Sequence, residues 1–135
     1  FKILKIERNP KKRGVLDMLI KYKDKLVAYG ELEVKRVWKE FDFPSEWRKE
    51  GVQFPKRKEK FINTEVPTFM VMFNAKGTNG LIVDCKTMVE SPSVTRWVRA
   101  GRYQGLDNLF QVPLEKVVFG LENFEKYIMS KLNLK

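Results

Sequence analysis

The apolar and polar positions of this chain fall into a few distinct rhythms. Leu26 to Lys35 (LVAYGELEVK) alternates with period two, placing Val27, Tyr29, Glu31, Glu33 and Lys35 on one face and Ala28, Gly30, Leu32 and Val34 on the other. That spacing predicts a strand. Just upstream, Val15 to Tyr22 is an apolar run of strand length with Asp17 inside it, and Lys23-Asp24-Lys25 separates the two as a polar turn. Residues 15–35 therefore read as an antiparallel hairpin. After Pro67, Thr68 to Phe73 (TFMVMF) is continuously apolar and predicts a strand buried on both faces. Turn residues 74–80 (NAKGTNG) and a further strand, Leu81 to Met88, complete a second hairpin. Near the end, Leu121, Phe124, Tyr127, Ile128 and Leu132 approach the i, i+3, i+4, i+7 spacing of an amphipathic helix.

The remaining segments are less regular. Phe1 to Glu7 alternates too loosely to classify, and residues 9–14 (NPKKRG) form a basic turn. Arg36 to Pro55 mixes Trp38, Phe41, Phe43, Trp47 and Phe54 with charges and prolines, which predicts an ordered loop with a short helical turn around Ser45 to Glu50. Lys56 to Ile62, behind Pro55, has the composition to start a short helix. Val94 to Leu109 shows no firm period, and Phe110 to Phe119, interrupted by Pro113, reads as an edge strand or extended stretch. The expected architecture is a single α+β domain over residues 1–135, with a mixed central sheet flanked by helices.

Composition narrows the chemistry. The 135 residues include no histidine, which removes Ser/His/Asp and Cys/His triads, His-dependent nucleases and imidazole zinc sites. Cys85 is the single cysteine, so no internal disulfide or thiolate cluster forms, and a reduced intracellular setting is expected: the cytoplasm, or host cytoplasm for a virus-encoded protein. No apolar run approaches the roughly 20 residues of a bilayer span, so no membrane partner is expected. The net charge is +10. Lys11, Lys12 and Arg13 precede the Asp17 strand, Arg36 and Lys39 follow the Glu33 strand, and Lys56, Arg57, Lys58 and Lys60 form a third basic cluster. Such clusters neutralise phosphates and release counterions, which points to nucleic acid, although lysine-rich surfaces also serve solubility alone.

Within the first hairpin, Asp17 and the Glu33-Val34-Lys35 triplet can converge, because Glu33 and Lys35 share a face and the turn returns the Asp17 strand beside them. Two carboxylates offer hard oxygen ligands for Mg²⁺ or Mn²⁺, and a lysine beside them can hold the attacking water or neutralise charge on phosphorus oxygens. An isolated carboxylate among Leu16, Met18, Leu19 and Ile20 is also costly to bury unless it meets a partner. Asp84-Cys85-Lys86, with Glu65 upstream, repeats the acid-x-lysine form, so one of the two sets is accidental.

At these residues the chain resembles the PD-(D/E)XK, or restriction-endonuclease-like, nuclease superfamily. The resemblance spans roughly Val15 to Phe73 and rests on the Asp17 strand, GELEVK with Trp38 nearby, the basic segment behind Pro55, and the apolar strand ending in Phe73-Asn74. It implies a restriction-endonuclease-like sheet and a metal-dependent endonuclease acting on DNA. Asp17, Glu33 and the Val34 carbonyl would be ligands of Mg²⁺ or Mn²⁺, and Lys35 the catalytic lysine. Leu16 stands where the motif has proline. The superfamily also places an acid-bearing helix before the Asp strand, so either Glu7 supplies that acid or the helix lies upstream of Phe1. Glu31 is a further acid on the Glu33 face, available behind the ligands or left to solvent. Arg96, Arg99 and Arg102, beside Trp97 and Tyr103, form the best candidate for a nucleic-acid-contacting loop. Two other functions fit the same features: a non-catalytic basic nucleic-acid-binding protein, and a subunit docking on an acidic protein surface. A homodimer would suit a small nuclease.

Overall fold

The computed structural model describes residues 1–10, 16–35, 50–100 and 103–134, with the backbone alone at 34, 35, 99, 100 and 103. In chain order the strands are β1 (Lys5–Arg8), β2 (Met18–Tyr22), β3 (Lys25–Lys35), β4 (Gly51–Pro55), β5 (Thr68–Asn74), β6 (Gly80–Asp84), β7 (Ser93–Ala100), β8 (Tyr103–Pro113) and β9 (Val118–Phe119). Helix α1 (Cys85–Val89) follows β6, and α2 (Phe124–Lys131) closes the described chain. A 3₁₀ segment, Lys56–Asn63, joins β4 toward β5.

Two sheets result. The larger runs β1-β2-β3-β5-β6-β9 and is mixed, because β3 and β5 are parallel while its other neighbours are antiparallel. The smaller runs β4-β8-β7 and is wholly antiparallel. The α+β class and the mixed sheet agree with the sequence reading.

Alternation along β5 and β6 explains the layering. Met70, Met72, Leu81 and Val83 point to one face of the large sheet and meet Val52, Phe54, Phe110 and Val112 of the small sheet, with Phe61, Cys85 and Met88 completing that core. Phe69, Val71 and Ile82 point to the other face, where they pack with Ile20, Ala28, Phe124 and Ile128. The strand expected over Thr68 to Phe73 is thus buried on both sides, as its unbroken apolar run requires. Burying each such large side chain is worth about 1.5–3 kcal/mol.

Elsewhere the chain departs from its pattern. The strand expected over Leu81 to Met88 stops at Asp84, whose carboxylate accepts the Thr87 amide at 3.1 Å and starts α1. Residues 51–55, expected in a loop, form β4 against β8. Within Val94 to Leu109, whose sequence shows no firm period, residues 94–100 pair with residues 103–109 as most of the β7–β8 ladder. Phe110 to Phe119 is divided: Phe110 to Pro113 ends the central strand of the small sheet, Leu114–Lys116 is a 3₁₀ turn, and only Val118–Phe119 is an edge strand. The helical turn expected from Ser45 lies almost wholly outside the described residues. Among the described residues, no helix is long and apolar enough to cross a membrane.

Candidate functional site

The face of the large sheet that is apolar beneath β4 and β8 becomes acidic at β2 and β3. Along β3, Tyr29 packs against the core, and Glu31 and Glu33 continue its file. Asp17 joins them because of a β-bulge. The turn between β2 and β3 is tight, with Lys23 and Asp24 both at positive φ (50° and 64°), and pairs Tyr22 with Lys25 and Lys21 with Leu26. Beyond it the register shifts by one residue, so that Ile20 faces Ala28 and Met18 faces Gly30. The extra residue on β3 is Val27. Without it, Asp17 would fall opposite Gly30, on the reverse face. With it, Asp17 falls opposite Glu31, and its Oδ2 accepts the Leu32 amide at 2.8 Å.

Lys58 arrives from the other layer. Pro55 ends β4 and opens the 3₁₀ segment, in which residues three apart stack on one side. Phe61 is buried in the core, which sets Lys58 one turn earlier against β3. Its Nζ lies 3.1 Å from Glu31 Oε2 and 3.2 Å from Glu33 Oε1, with only 14% of the side chain exposed.

The electrostatics are unbalanced. Glu31 is 7% exposed and hydrogen-bonds the Asp17 carboxyl. Burial, and then that contact, push its pKa up to about 7, against the opposing pull of Lys58. Like charges directly opposite on neighbouring strands are destabilising. With all groups ionised, Asp17, Glu31 and Glu33 bring three negative charges against the single positive charge of Lys58, leaving a local −2 in a chain of net charge +10. The donors are hard carboxylate oxygens, which suit Mg²⁺ or Mn²⁺. Among the described residues no three acidic or thiol groups already form a metal cage, and Lys58 is the cation lying between Glu31 and Glu33.

The anticipated residues are distributed as follows. Val34 and Lys35 end β3, paired with Phe73 and Asn74 of β5. Glu7 lies across from Leu19 on β1, and its carboxylate is taken up by Lys21 at 2.8 Å and Lys5 at 3.3 Å, which hold it below the ordinary carboxylate range. Lys56, Arg57 and Lys60 share the 3₁₀ segment with Lys58; Arg57 and Lys60 are exposed, and the Lys60 ammonium lies 5.2 Å from the Phe61 ring centre. Lys11, Lys12, Arg13, Arg36 and Lys39, with Trp38 and Trp47, lie outside the described residues. Sequence reasoning counted Lys58 only among phosphate-binding lysines. The signal for its inward position was its three-residue spacing from Phe61 behind Pro55.

The second acid-x-lysine set is built differently. Asp84 caps α1, also accepts hydrogen bonds from Thr87 Oγ1 at 2.6 Å and Tyr127 OH at 2.9 Å, and lies 3.6 Å from Lys131 Nζ. Cys85 and Lys86 are helical, so strand alternation does not align Lys86 with Asp84. Glu65 hydrogen-bonds the Tyr29 hydroxyl instead. Glu65, Asp84, Cys85, Lys86, Thr87 and Lys131 line a cleft of about 610 Å³ beside α1. Cys85 is buried, and that burial, followed by the Asp84 charge, pushes its thiol up to about 11. A protonated thiol of this kind is no nucleophile at neutral pH. No protein-family model, curated protein or solved structure matches this chain.

Proposed function

We propose that this protein is a metal-dependent nuclease of the restriction-endonuclease-like class, hydrolysing DNA phosphodiester bonds at the Asp17, Glu31, Glu33 and Lys58 cluster. The observation behind this reading is the Asp17 and Glu31 pair set opposite each other, with Glu33 beside them and one lysine against three acids. The order of the Asp17 position, the Glu33-x-Lys35 strand, a helical segment and a buried strand parallel to β3 supports the same class.

Asp17, Glu31 and Glu33 would hold Mg²⁺ or Mn²⁺. The ion, when bound, supplies Lewis-acid stabilisation of the phosphate and a lowered pKa for the attacking water. The Leu32 amide fixes the Asp17 carboxylate, and Lys58 sets the rotamers of Glu31 and Glu33 while offering positive charge to a phosphate oxygen. Lys35 lies two positions beyond Glu33 and remains the alternative lysine for that role. The basic groups Lys56, Arg57 and Lys60 would meet the backbone of the bound strand.

The test is cleavage of supercoiled, linear and branched DNA in Mg²⁺, Mn²⁺ or EDTA, comparing wild type with Asp17→Asn, Glu31→Gln, Glu33→Gln, Lys58→Ala and Lys35→Ala. Metal-dependent cutting that falls at least about 100-fold in Asp17→Asn and Glu33→Gln is expected, a loss typical of groups that position a catalytic metal. Undiminished cutting in all five variants removes the assignment. A second reading has its own support: Lys58 already bridges Glu31 and Glu33, so the acids could be structural in a non-catalytic nucleic-acid-binding protein. That reading requires salt-sensitive binding with no cleavage under either metal.

A further inference from the structure

The β7–β8 hairpin outruns the sheet that supports it. β4 covers β8 only from Leu109 to Pro113, whereas β7 and β8 stay paired out to Ala100 and Tyr103. Beyond Leu109 the hairpin is a two-stranded arm, a form with little stability of its own in water. It leaves the small sheet at the Pro55 end of β4, where the 3₁₀ segment bearing Lys58 begins.

The rungs on the core-facing side of this arm change character outward. Phe110, opposite Ser93, is buried in the core. Next comes a solvated polar rung, Thr95 opposite Asn108, joined by a 3.0 Å side-chain hydrogen bond. Beyond it Trp97 faces Leu106, and these are 67% and 65% exposed. A polar rung between them and Phe110 means that Trp97 and Leu106 are not the frayed margin of the core. Two side chains are also far too little surface for a stable protein interface, which buries on the order of 1,200–2,000 Å². The chain as a whole carries a net charge of +10, and on the reverse face of the arm, one position before Trp97, the exposed Arg96 stands across from Asp107.

We infer that this arm takes an unpaired base of a DNA strand, which stacks on the Trp97 indole beside Leu106, while the adjoining phosphate passes over the β7 edge to Arg96 on the other face. A flat, exposed apolar ring on an edge strand of a basic chain suits a base and its phosphate together, since every base offers a π face and every nucleotide a negative charge. The substrate class that follows is DNA with unstacked nucleotides, such as single strands, flaps or branch points, in preference to blunt duplex. The inference rests on the nucleic-acid reading of the protein but not on whether the acidic cluster cuts.

The experiment is fluorescence anisotropy with a labelled single-stranded oligodeoxynucleotide and its blunt duplex, in EDTA to remove any cleavage. Wild type is expected to bind the single strand at least 5-fold tighter than the duplex. Trp97→Ala should lose about 10-fold on the single strand, within the range for one base stacked on an aromatic side chain, and little on the duplex. Trp97→Phe should recover most of the loss and also remove the quenching of tryptophan emission on binding. Arg96→Ala should weaken both probes and flatten the salt dependence. Circular dichroism confirms folding of each variant, and Leu106→Ala gives a second, smaller perturbation of the same rung. Wild-type affinity in Trp97→Ala, equal affinity for the two probes, or a wild-type dimer dissolved by Trp97→Ala would each overturn the inference. Asp17→Asn that binds normally yet does not cut leaves it standing, so it can fail separately from the proposed chemistry.

Discussion

Asp17, one residue before β2, and Glu31 on β3 stand opposite each other with their carboxyls in hydrogen-bond contact, and this contact, after burial, raises the Glu31 pKa from 4.5 to about 7. Besides Asp17, the charged groups facing Glu31 are Lys58 and, through it, Glu33. In metal-free protein between these two pH values, the folded state therefore binds more protons at Glu31 than the unfolded chain does. The stability this group contributes is complete below about pH 4.5 and is lost as pH rises through about 7.

Glu31→Gln cannot ionise and escapes that loss. It should match wild type in stability at pH 5 and exceed it by about 1 kcal/mol at pH 8 in EDTA, a figure kept below the full shift because Asp17, one source of it, is exposed to solvent. Mg²⁺ should raise the wild-type Tm at pH 8 and scarcely at pH 5, and should raise that of Glu31→Gln less. Thermal melts at both pH values, with and without Mg²⁺, measure all of these. A variant less stable than wild type at pH 8 would mean that ionised Glu31 is a net stabiliser, contrary to its burial.

Lys58 and a divalent ion should compete for Glu31 and Glu33. Removing a partner from a fully buried ion pair costs roughly 3–5 kcal/mol. Glu33 keeps 24% of its side chain in water, so Lys58→Ala should cost less, about 2 kcal/mol at pH 8 in EDTA. Mg²⁺ should then stabilise Lys58→Ala more than it stabilises wild type, while any cleavage activity falls. Calorimetric Mg²⁺ titration and melts of the two proteins decide this. Tighter Mg²⁺ binding by wild type would show that the ammonium group assists the cation site and does not contend for it.

The hairpin, the doubly buried β5 and the closing helix were legible because each shows a simple period or an unbroken apolar run between turn residues. The small sheet was not. On the β7–β8 arm, Trp97 and Leu106 are exposed, so no buried face imposes alternation on the sequence. In the site, the convergence of Asp17 with Glu33 was legible, but the direct contact of Asp17 with Glu31, the place of Asp17 just before β2 and the arrival of Lys58 were not. The pairing of Asp17 with Glu31 depends on a bulge that a count from the Lys23-Asp24 turn passes over, and Lys58 comes from a segment that follows a different sheet.

The two acid-x-lysine sets should separate cleanly on mutation. Burial pushes the Asp84 carboxyl up, but hydrogen bonds from Thr87 and Tyr127 and the charge of Lys131 outweigh it and hold the pKa below 3.8. Its contribution to stability is thus complete above that value and is lost as pH falls through the lower folded value. Asp84→Ala should cost about 1–2 kcal/mol at pH 7 through the lost helix cap, and Asp84→Asn, another good cap, much less. Neither should alter the Mg²⁺ response or any metal-dependent cutting. A Mg²⁺-induced Tm rise abolished in Asp84→Asn would transfer the metal centre to the cleft beside α1.

The bulge at Val27 makes the strongest demand on the architecture. β3 is fixed on its other side by parallel pairing with β5 from Tyr29 to Lys35, so it cannot turn over to accommodate a lost residue. Deleting Val27 would instead force β2 into the register set by the turn, carrying Asp17 away from Glu31 and withdrawing Ile20 from the core it shares with Ala28 and Phe124. Val27→Ala removes only a half-buried side chain and should cost about 1 kcal/mol with the Mg²⁺ response intact. The deletion should cost more than about 3 kcal/mol, counting the lost Ile20 packing, and abolish the Mg²⁺ response. Urea melts of both variants with and without Mg²⁺ give the comparison. A deletion variant as stable as Val27→Ala, with its Mg²⁺-induced stabilisation preserved, would show that the register of β2 does not set the position of Asp17.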